Sequence, residues 1–298
     1  MTPIHVACAI ERDYYKHCAA MLLSLLDHNK GGEIEIHLLH PPELGGGPIS
    51  RLQEMVVGAG GLLHSQVVPD ELCTGLPIHD FTRKATWYRI FLDELLPGLD
   101  RVLYLDSDLI VHDSLQPLWE IELNGNYVAA VTNVLQADHF GRPAEIGVDN
   151  HEDYFNAGVL LCDLALMRAH GLGTQTREWS VANASRLEWR DQDALNAVLA
   201  QRRLRLHPRW NLMSSVLLFP WAVEVFGVQA IAEAKDNPAI RHFEGQTIAK
   251  PWHLLCDRPG RDEYFEYRSR TPWPRVRRSG VTPGNLVRKA ARGSRGPG

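Results

Sequence analysis

The chain has 298 residues, of which 45% are hydrophobic and 22% charged, with a formal net charge of −5. That length supplies a sizeable core for one large domain or two small ones, and the ordinary globular composition excludes fibrous and wholly disordered classes. Residues 275–298 hold seven Lys/Arg and no acid, which leaves −12 on residues 1–274; an acidic body with a short basic tail argues against a nucleic-acid partner.

The first half alternates strand and helix patterns. IHVACAI (4–10) reads as a strand, YYKHCAAMLLSLLDHN (14–29) has helical apolar spacing, and EIEIHLLH (33–40) alternates cleanly. A helix-like segment near 48–57 leads to a third strand, LLHSQVV (62–68). KATWYRIFLDELL (84–96) reads as one helix stopped by Pro97-Gly98, and RVLYL (101–105) as a fourth strand. Strands joined by helix-length connections predict a parallel sheet covered on both faces, which binds ligands at the carboxyl ends of its strands. Further on, NYVAAV (126–131) and FNAGVLLC (155–162) are strand candidates, and DLALMRAH (163–170), TQTREWSVANASRL (174–187) and DQDALNAVLAQ (191–201) are helix candidates.

Cys8, Cys18, Cys73, Cys162 and Cys256 are scattered and show no CxxC spacing, so reduced thiols in a cytoplasmic protein are expected. No apolar run approaches the ~18 residues of a membrane span. The chain opens directly into a strand pattern, with no charged segment leading into an apolar one. Residues 275–298 are short of apolar residues and expected to be disordered.

Asp106 and Asp108 stand one residue apart at the end of the fourth strand, followed by Leu109, Ile110 and Val111. A second acidic triplet, Asp191-Gln192-Asp193, reads simply as a helix start, where carboxylates favour the positive end of the dipole. Glu33 and Glu35 read as the solvent face of an alternating strand. The pair at 106 and 108 has no helix start to cap, and alternation puts both acids on one face. Their repulsion must be offset, no Lys or Arg lies close by in sequence, and converging carboxylates are what a hard divalent cation takes. From chemistry alone a metal role is one reading among others.

YLDSDLIVHDSLQPLW (104–119) resembles the acid-pair segment of family 8 glycosyltransferases, the retaining group with bacterial lipooligosaccharide galactosyltransferases and glycogenin. Further matches follow in family order: ERDYY (11–15), KATWYRI (84–90), YFNAGVLL (154–161), DQDALN (191–196), RWN (209–211), HFEG (242–245) and KPWH (250–253). The similarity spans roughly residues 3–256. It implies an α/β GT-A fold over 1–274, a Rossmann-like, mostly parallel sheet flanked by helices and fused to an acceptor-binding half. It also implies transfer of galactose or glucose from a UDP-sugar to a saccharide or glycolipid hydroxyl.

By that resemblance, Asp106, Asp108 and His242 hold Mn²⁺, with Mg²⁺ as a substitute. Ala9, Glu11, Tyr14, Arg89, Ser107, Asn156, Ala157, Gly245 and Lys250 complete the donor site, Tyr14 stacking on uracil and Lys250 touching the diphosphate. Asp191 binds donor hydroxyls and Gln192 lies below the anomeric carbon. An amide is a poor nucleophile, so a front-face route is expected rather than a covalent intermediate. Phe81, Trp189 and Trp210 are candidates for the acceptor side, with core packing the alternative for each tryptophan. Glu11 replaces the family's usual aspartate, and Asn133 stands where relatives often carry an acid.

A nucleotidyltransferase would carry a Gly-rich phosphate loop after the first strand, and AIERDYYKH contains no glycine. A non-catalytic sugar-binding relative would have lost the acid pair or the distant histidine, and both are present. Relatives acting on lipid-linked acceptors carry basic C-termini, so the tail suggests peripheral contact with the inner membrane face.

Overall fold

The structure, a computed structural model, describes residues 3–78, 84–245, 247–275 and 277–293. Seven strands form one sheet: β1 (Ile4–Ala9), β2 (Ile34–His40), β3 (Leu62–Val67), β4 (Arg101–Leu105), β6 (Val128–Ala130), β7 (Val159–Asp163) and β8 (Arg203–Arg205). A separate pair is made by β5 (Leu109–Val111) and β9 (Ile240–His242). The large sheet runs β3-β2-β1-β4-β7-β6-β8. β7 is antiparallel to both its neighbours and the remaining pairs are parallel. This is the mostly parallel sheet that the resemblance implies.

The alternation of β1 explains the layers. Val6 and Cys8 enter a core with α1 (Tyr15–His28) and α2 (Gly46–Gly58), supplied by Met21, Leu22, Leu25, Leu52 and Val56. Ala7 and Ala9 face the opposite core, with Trp87, Tyr88, Phe91 and Leu160. Each Val, Leu, Met or Phe side chain buried this way stabilises the fold by ~1.5–3 kcal/mol, so both faces must be covered. A third, small cluster joins Ala20, Ile110, Phe243, Trp252 and Tyr264 beneath β5 and β9.

Three differences from the sequence reading bear on the site. KATWYRIFLDELL is not one helix: Lys84–Trp87 and Leu92–Leu95 are α-helical, and Tyr88–Phe91 winds as a tighter 3-10 turn. Tyr88, Arg89, Ile90 and Phe91 are all buried, so no amphipathic stripe governs this stretch. Secondly, β8, β9 and the helices Ala222–Asp236 and Arg261–Ser269 lie in segments that gave no clear periodicity. Thirdly, order continues past residue 274. Ser279 pairs with His253, its N–H donating to Trp252 O (3.0 Å), and a helix follows over Pro283–Gly293. Thr282 starts that helix, its Oγ1 accepting the Asn285 N–H at 3.2 Å.

Candidate active site

Asp106 follows β4 directly and Asp108 precedes β5, which puts both acids at the carboxyl edge of the sheet. The Asp106 N–H donates to Gly158 O (2.8 Å) and the Phe243 N–H to Asp108 O (3.0 Å), fixing the turn between them. β9 pairs antiparallel with β5, His242 opposite Leu109, and this pairing brings the imidazole beside acids 134 and 136 residues earlier in the chain.

His242 Nε2 lies 3.4 Å from Asp108 Oδ1 and 3.9 Å from Asp106 Oδ2. Its Nδ1 is 2.9 Å from Asn211 Oδ1, and the Asn211 amide is oriented by its own donation to Asn156 Oδ1 at 2.9 Å. An acceptor opposite Nδ1 puts the ring proton there, which leaves the Nε2 lone pair facing the two carboxylates. One donor atom from each of the three residues lies within 4.8 Å of the other two. Gly158 keeps the space clear, because a Cβ there would collide with the His242 ring and come within 2.8 Å of Asp106 Oδ2. Two carboxylates, an imidazole and a glycine-cleared gap fit a divalent cation, and the nitrogen donor suits Mn²⁺ better than Mg²⁺.

The charge balance corrects the sequence reading, which found no nearby Lys or Arg to offset the acids. Folding supplies one for each. Arg89 Nη1 donates to Asp106 Oδ1 (3.0 Å) and to Ala157 O (2.6 Å). Its Nε lies 2.7 Å from Asp191 Oδ2, with the N–H directed at Thr86 O (3.1 Å). Arg89 therefore pairs with Asp106 and Asp191, not with Asp93 one helical turn on. Lys250 forms an ion pair with Asp108 Oδ2 and donates to Phe243 O at 3.0 Å.

Burial alone would raise the Asp108 carboxyl, but the Lys250 ammonium pulls the other way and Asp108 stays well below the usual range. Burial would likewise lower Arg89, and Asp106 with Asp191 more than reverse it, so the guanidinium stays charged. Asp191 goes the other way. Its burial pushes the carboxyl up to about 6 despite the Arg89 charge.

Arg89, Asp106, Asp108 and Lys250 line a cleft of about 550 Å³. Ala9, Glu11, Tyr14, Arg89, Asp106, Ser107, Asp108, Gly245 and Lys250 all border it. Ser107 Oγ donates to Ala9 O (3.0 Å), and Tyr14 meets Trp252 edge-on at 5.7 Å. Glu11 Oε2 accepts the Ala85 N–H (3.2 Å) and so anchors the start of Lys84–Trp87. An adjoining cavity of about 480 Å³ is bordered by Asn133, Asn156, Trp189, Asp191 and Gln192, and shares Arg89 and Gly245 with the first. A larger open groove of about 1050 Å³ runs beside Glu11 and Lys84, away from the paired acids.

Gln192 is held in one orientation. Its Oε1 accepts from Asn156 Nδ2 (3.1 Å) and the Ala157 N–H (3.1 Å), and its Nε2 donates to Tyr154 OH (3.3 Å). Arg190, just before Asp191, has φ 53°, a conformation that L side chains rarely adopt and that costs ~1–3 kcal/mol. Asp193 anchors the turn: its Oδ2 accepts from Arg142 Nη2 (2.6 Å) and from the Glu188 and Trp189 N–H groups (2.8 Å each), its Oδ1 from Tyr154 OH (2.7 Å).

Among the acceptor-side candidates, Trp189 borders the second cavity and meets Tyr154 at 5.5 Å. Trp210 does not. It is 6% exposed and packs in the core beneath the sheet with Arg209 over its ring, because the turn Pro208–Asn211 must point Asn211 at His242. Phe81 lies outside the described residues. Sequence reading missed Tyr104, whose hydroxyl donates to Asp106 Oδ1 (3.1 Å), and the supporting roles of Asn211, Arg142 and Asp193. Tyr104 could have been found, since residues two apart on a strand share a face.

The sequence model of the family described as Glycosyl transferase family 8 matches residues 5–256. General stress protein A of Bacillus subtilis (strain 168) is 29% identical over 278 residues, covering 91% of this chain and 94% of that protein. The lipopolysaccharide glucosyltransferase WaaO of Escherichia coli (strain K12) is 23% identical over 283 residues, 91% of this chain and 79% of its own length. Among solved structures, the galactosyltransferase LgtC in complex with donor and acceptor sugar analogs has a TM-score of 0.80 at 25% identity. That match covers 96% of this chain and 100% of LgtC.

Proposed function

The chain belongs to glycosyl transferase family 8, and from that premise we propose that it moves a hexose, galactose or glucose, from a UDP-sugar to a saccharide or glycolipid hydroxyl with retention of configuration. The observation that carries this reading is the convergence of Asp106, Asp108 and His242 where a cleft lined by Tyr14 and Lys250 meets a second cavity lined by Gln192. The names of LgtC and of the E. coli relative support a hexose donor.

In this reading Tyr14 stacks on the base, and Lys250 turns from Asp108 to the diphosphate as a point charge. Asp106, Asp108 and the His242 Nε2 would hold Mn²⁺, which when bound stabilises negative charge on the leaving diphosphate as a Lewis acid. Arg89 and Asp191 orient the donor sugar from either side of their ion pair. Gln192, clamped by Asn156 and Tyr154, presents its amide to the anomeric carbon as positive charge develops there. The departing phosphate oxygen takes the proton of the incoming hydroxyl on the same face, so no separate general base is required. Trp189 offers an aromatic face to the acceptor ring.

A screen of UDP-sugars with Mn²⁺, followed by NMR of the product's anomeric proton, tests the reading. An α-linked hexoside from UDP-galactose or UDP-glucose is expected; a β-linked product, or no transfer from any UDP-sugar, contradicts it.

We further propose peripheral contact with an anionic membrane through the C-terminal helix. Among the described residues no helix is long and apolar enough to cross a membrane. Pro283–Gly293 carries exposed Leu286 and Val287 beside Arg288 and Lys289, a pattern suited to lying on an anionic surface. Sedimentation with phosphatidylglycerol vesicles should fall in the full chain bearing Leu286→Ser and Val287→Ser; unchanged sedimentation removes the idea.

A further inference from the structure

A second cluster of metal-ligating side chains lies at the opposite end of β1 from the cleft. His5 stands four residues before Ala9, about 13 Å along the strand. Parallel pairing of β1 with β2 sets His5 beside Glu35, with His37 two residues on and pointing to the same face. Pairing of β2 with β3 sets His64 beside His37. Four polar side chains thus share a patch of a sheet face that elsewhere carries Ala7, Ala9, Leu39 and Tyr104.

The donor atoms lie close enough to converge on one point. His5 Nδ1 is 3.1 Å from His37 Nε2 and 3.7 Å from Glu35 Oε2. Donors of a tetrahedral zinc site, at ~2.0–2.2 Å from the ion, lie about 3.3–3.6 Å from each other. One atom from each of His5, Glu35 and His37 falls within 4.8 Å of the others. His64 supports the acid from outside, Nε2 to Glu35 Oε2 at 3.0 Å, and stacks on the His37 ring at a centroid distance of 5.1 Å. Trp119 closes one side, edge-on to His5 at 6.2 Å.

A proton shared by His5 and His37 would satisfy those two nitrogens alone. With His64 Nε2 on Glu35 Oε2 at 3.0 Å, that pattern still leaves the two pairs separate, with His5 Nδ1 and Glu35 Oε2 3.7 Å apart and no hydrogen bond between them. We infer that His5, Glu35 and His37 form a Zn²⁺ site, steadied by His64, that ties β1 and β2 together next to the edge strand β3. Its ligands differ in kind from the acid-rich set at the cleft: two imidazoles and one carboxylate suit zinc, whereas the cleft set suits manganese.

The experiment titrates the full chain with Zn²⁺ alone against a chromophoric chelator, in an Asp108→Asn/His242→Gln background that disables the other cluster. That background should still take up about one equivalent of zinc, and adding His5→Gln with His37→Gln should abolish it. His64→Ala, which leaves the three ligands in place, should weaken zinc by ~10–100-fold. Co²⁺ added to the background should give the intense visible bands of a tetrahedral ion, a readout that needs no change at the proposed ligands. In the otherwise unaltered chain, His5→Gln/His37→Gln should leave sugar transfer intact. Absence of both zinc uptake and cobalt bands in the background, or equal zinc retention with and without His5 and His37, overturns the inference.

Discussion

Asn211 Oδ1 faces His242 Nδ1 at 2.9 Å, and the same amide donates to Asn156, which in turn reaches Gln192. One chain of three amides therefore runs from the proposed metal ligand to the residue proposed beneath the anomeric carbon. It fixes the imidazole tautomer at one end and the Gln192 carbonyl at the other.

Asn211→Leu should therefore weaken Mn²⁺ binding by ~10–100-fold while leaving the far-ultraviolet circular dichroism unchanged. Asn211→Asp, which keeps an acceptor opposite Nδ1, should recover most of the loss. Titration calorimetry with Mn²⁺ measures both; equal affinity in all three chains would mean that Asn211 only packs.

Arg89 is a structural cation as well as a proposed donor contact. Arg89→Ala leaves Asp106 and the buried Asp191 without their partner and should lower stability by ~3–5 kcal/mol in urea unfolding. Arg89→Lys retains a charge but loses the fork that reaches Asp106, Ala157 and Asp191 together, so a smaller loss is expected.

Lys250 competes with the cation for Asp108 when no donor is bound. Lys250→Met should accordingly strengthen Mn²⁺ binding in the absence of nucleotide by ~10-fold, or about 1.4 kcal/mol, yet reduce donor turnover by ~100-fold. Calorimetry and steady-state kinetics on one preparation measure the two effects, which must have opposite signs.

Asp191 sets a pH dependence. Its folded carboxyl is raised to about 6, so donor binding through its charged form should be lost as pH falls through that value. The stability term has the opposite sense: the folded state binds the extra proton between the ordinary carboxylate value and about 6, so this group destabilises increasingly as pH rises across that window. kcat/KM for the donor should fall ~10-fold per unit below pH 6, and the residual activity of Asp191→Asn should lack that limb.

The central sheet was legible because its strands alternate with helices at regular intervals and because burial on both faces leaves an apolar signature. The acid pair was legible for the opposite reason: Asp106 and Asp108 interrupt such a run with no helix to cap. The charge balance was not, since Arg89 and Lys250 approach from either side in sequence and only the fold brings them in. For Trp210 the sequence left two readings, an aromatic face for a sugar ring or core packing, and the turn that aims Asn211 at His242 puts the indole in the core. The C-terminal segment was expected to be disordered from its Arg and Gly content, but Ser279 finds a backbone partner at His253 and borders the cleft. A short pairing of that kind leaves no periodic trace.

The most direct measurement is UDP release from a UDP-hexose, with Mn²⁺ and with chelator, in the unaltered chain and in Asp106→Asn and Asp108→Asn. The account predicts turnover that requires the cation and falls by at least ~10²-fold in each variant, with the thermal unfolding transition still cooperative. Full turnover in the chelator, or in either variant, would contradict it.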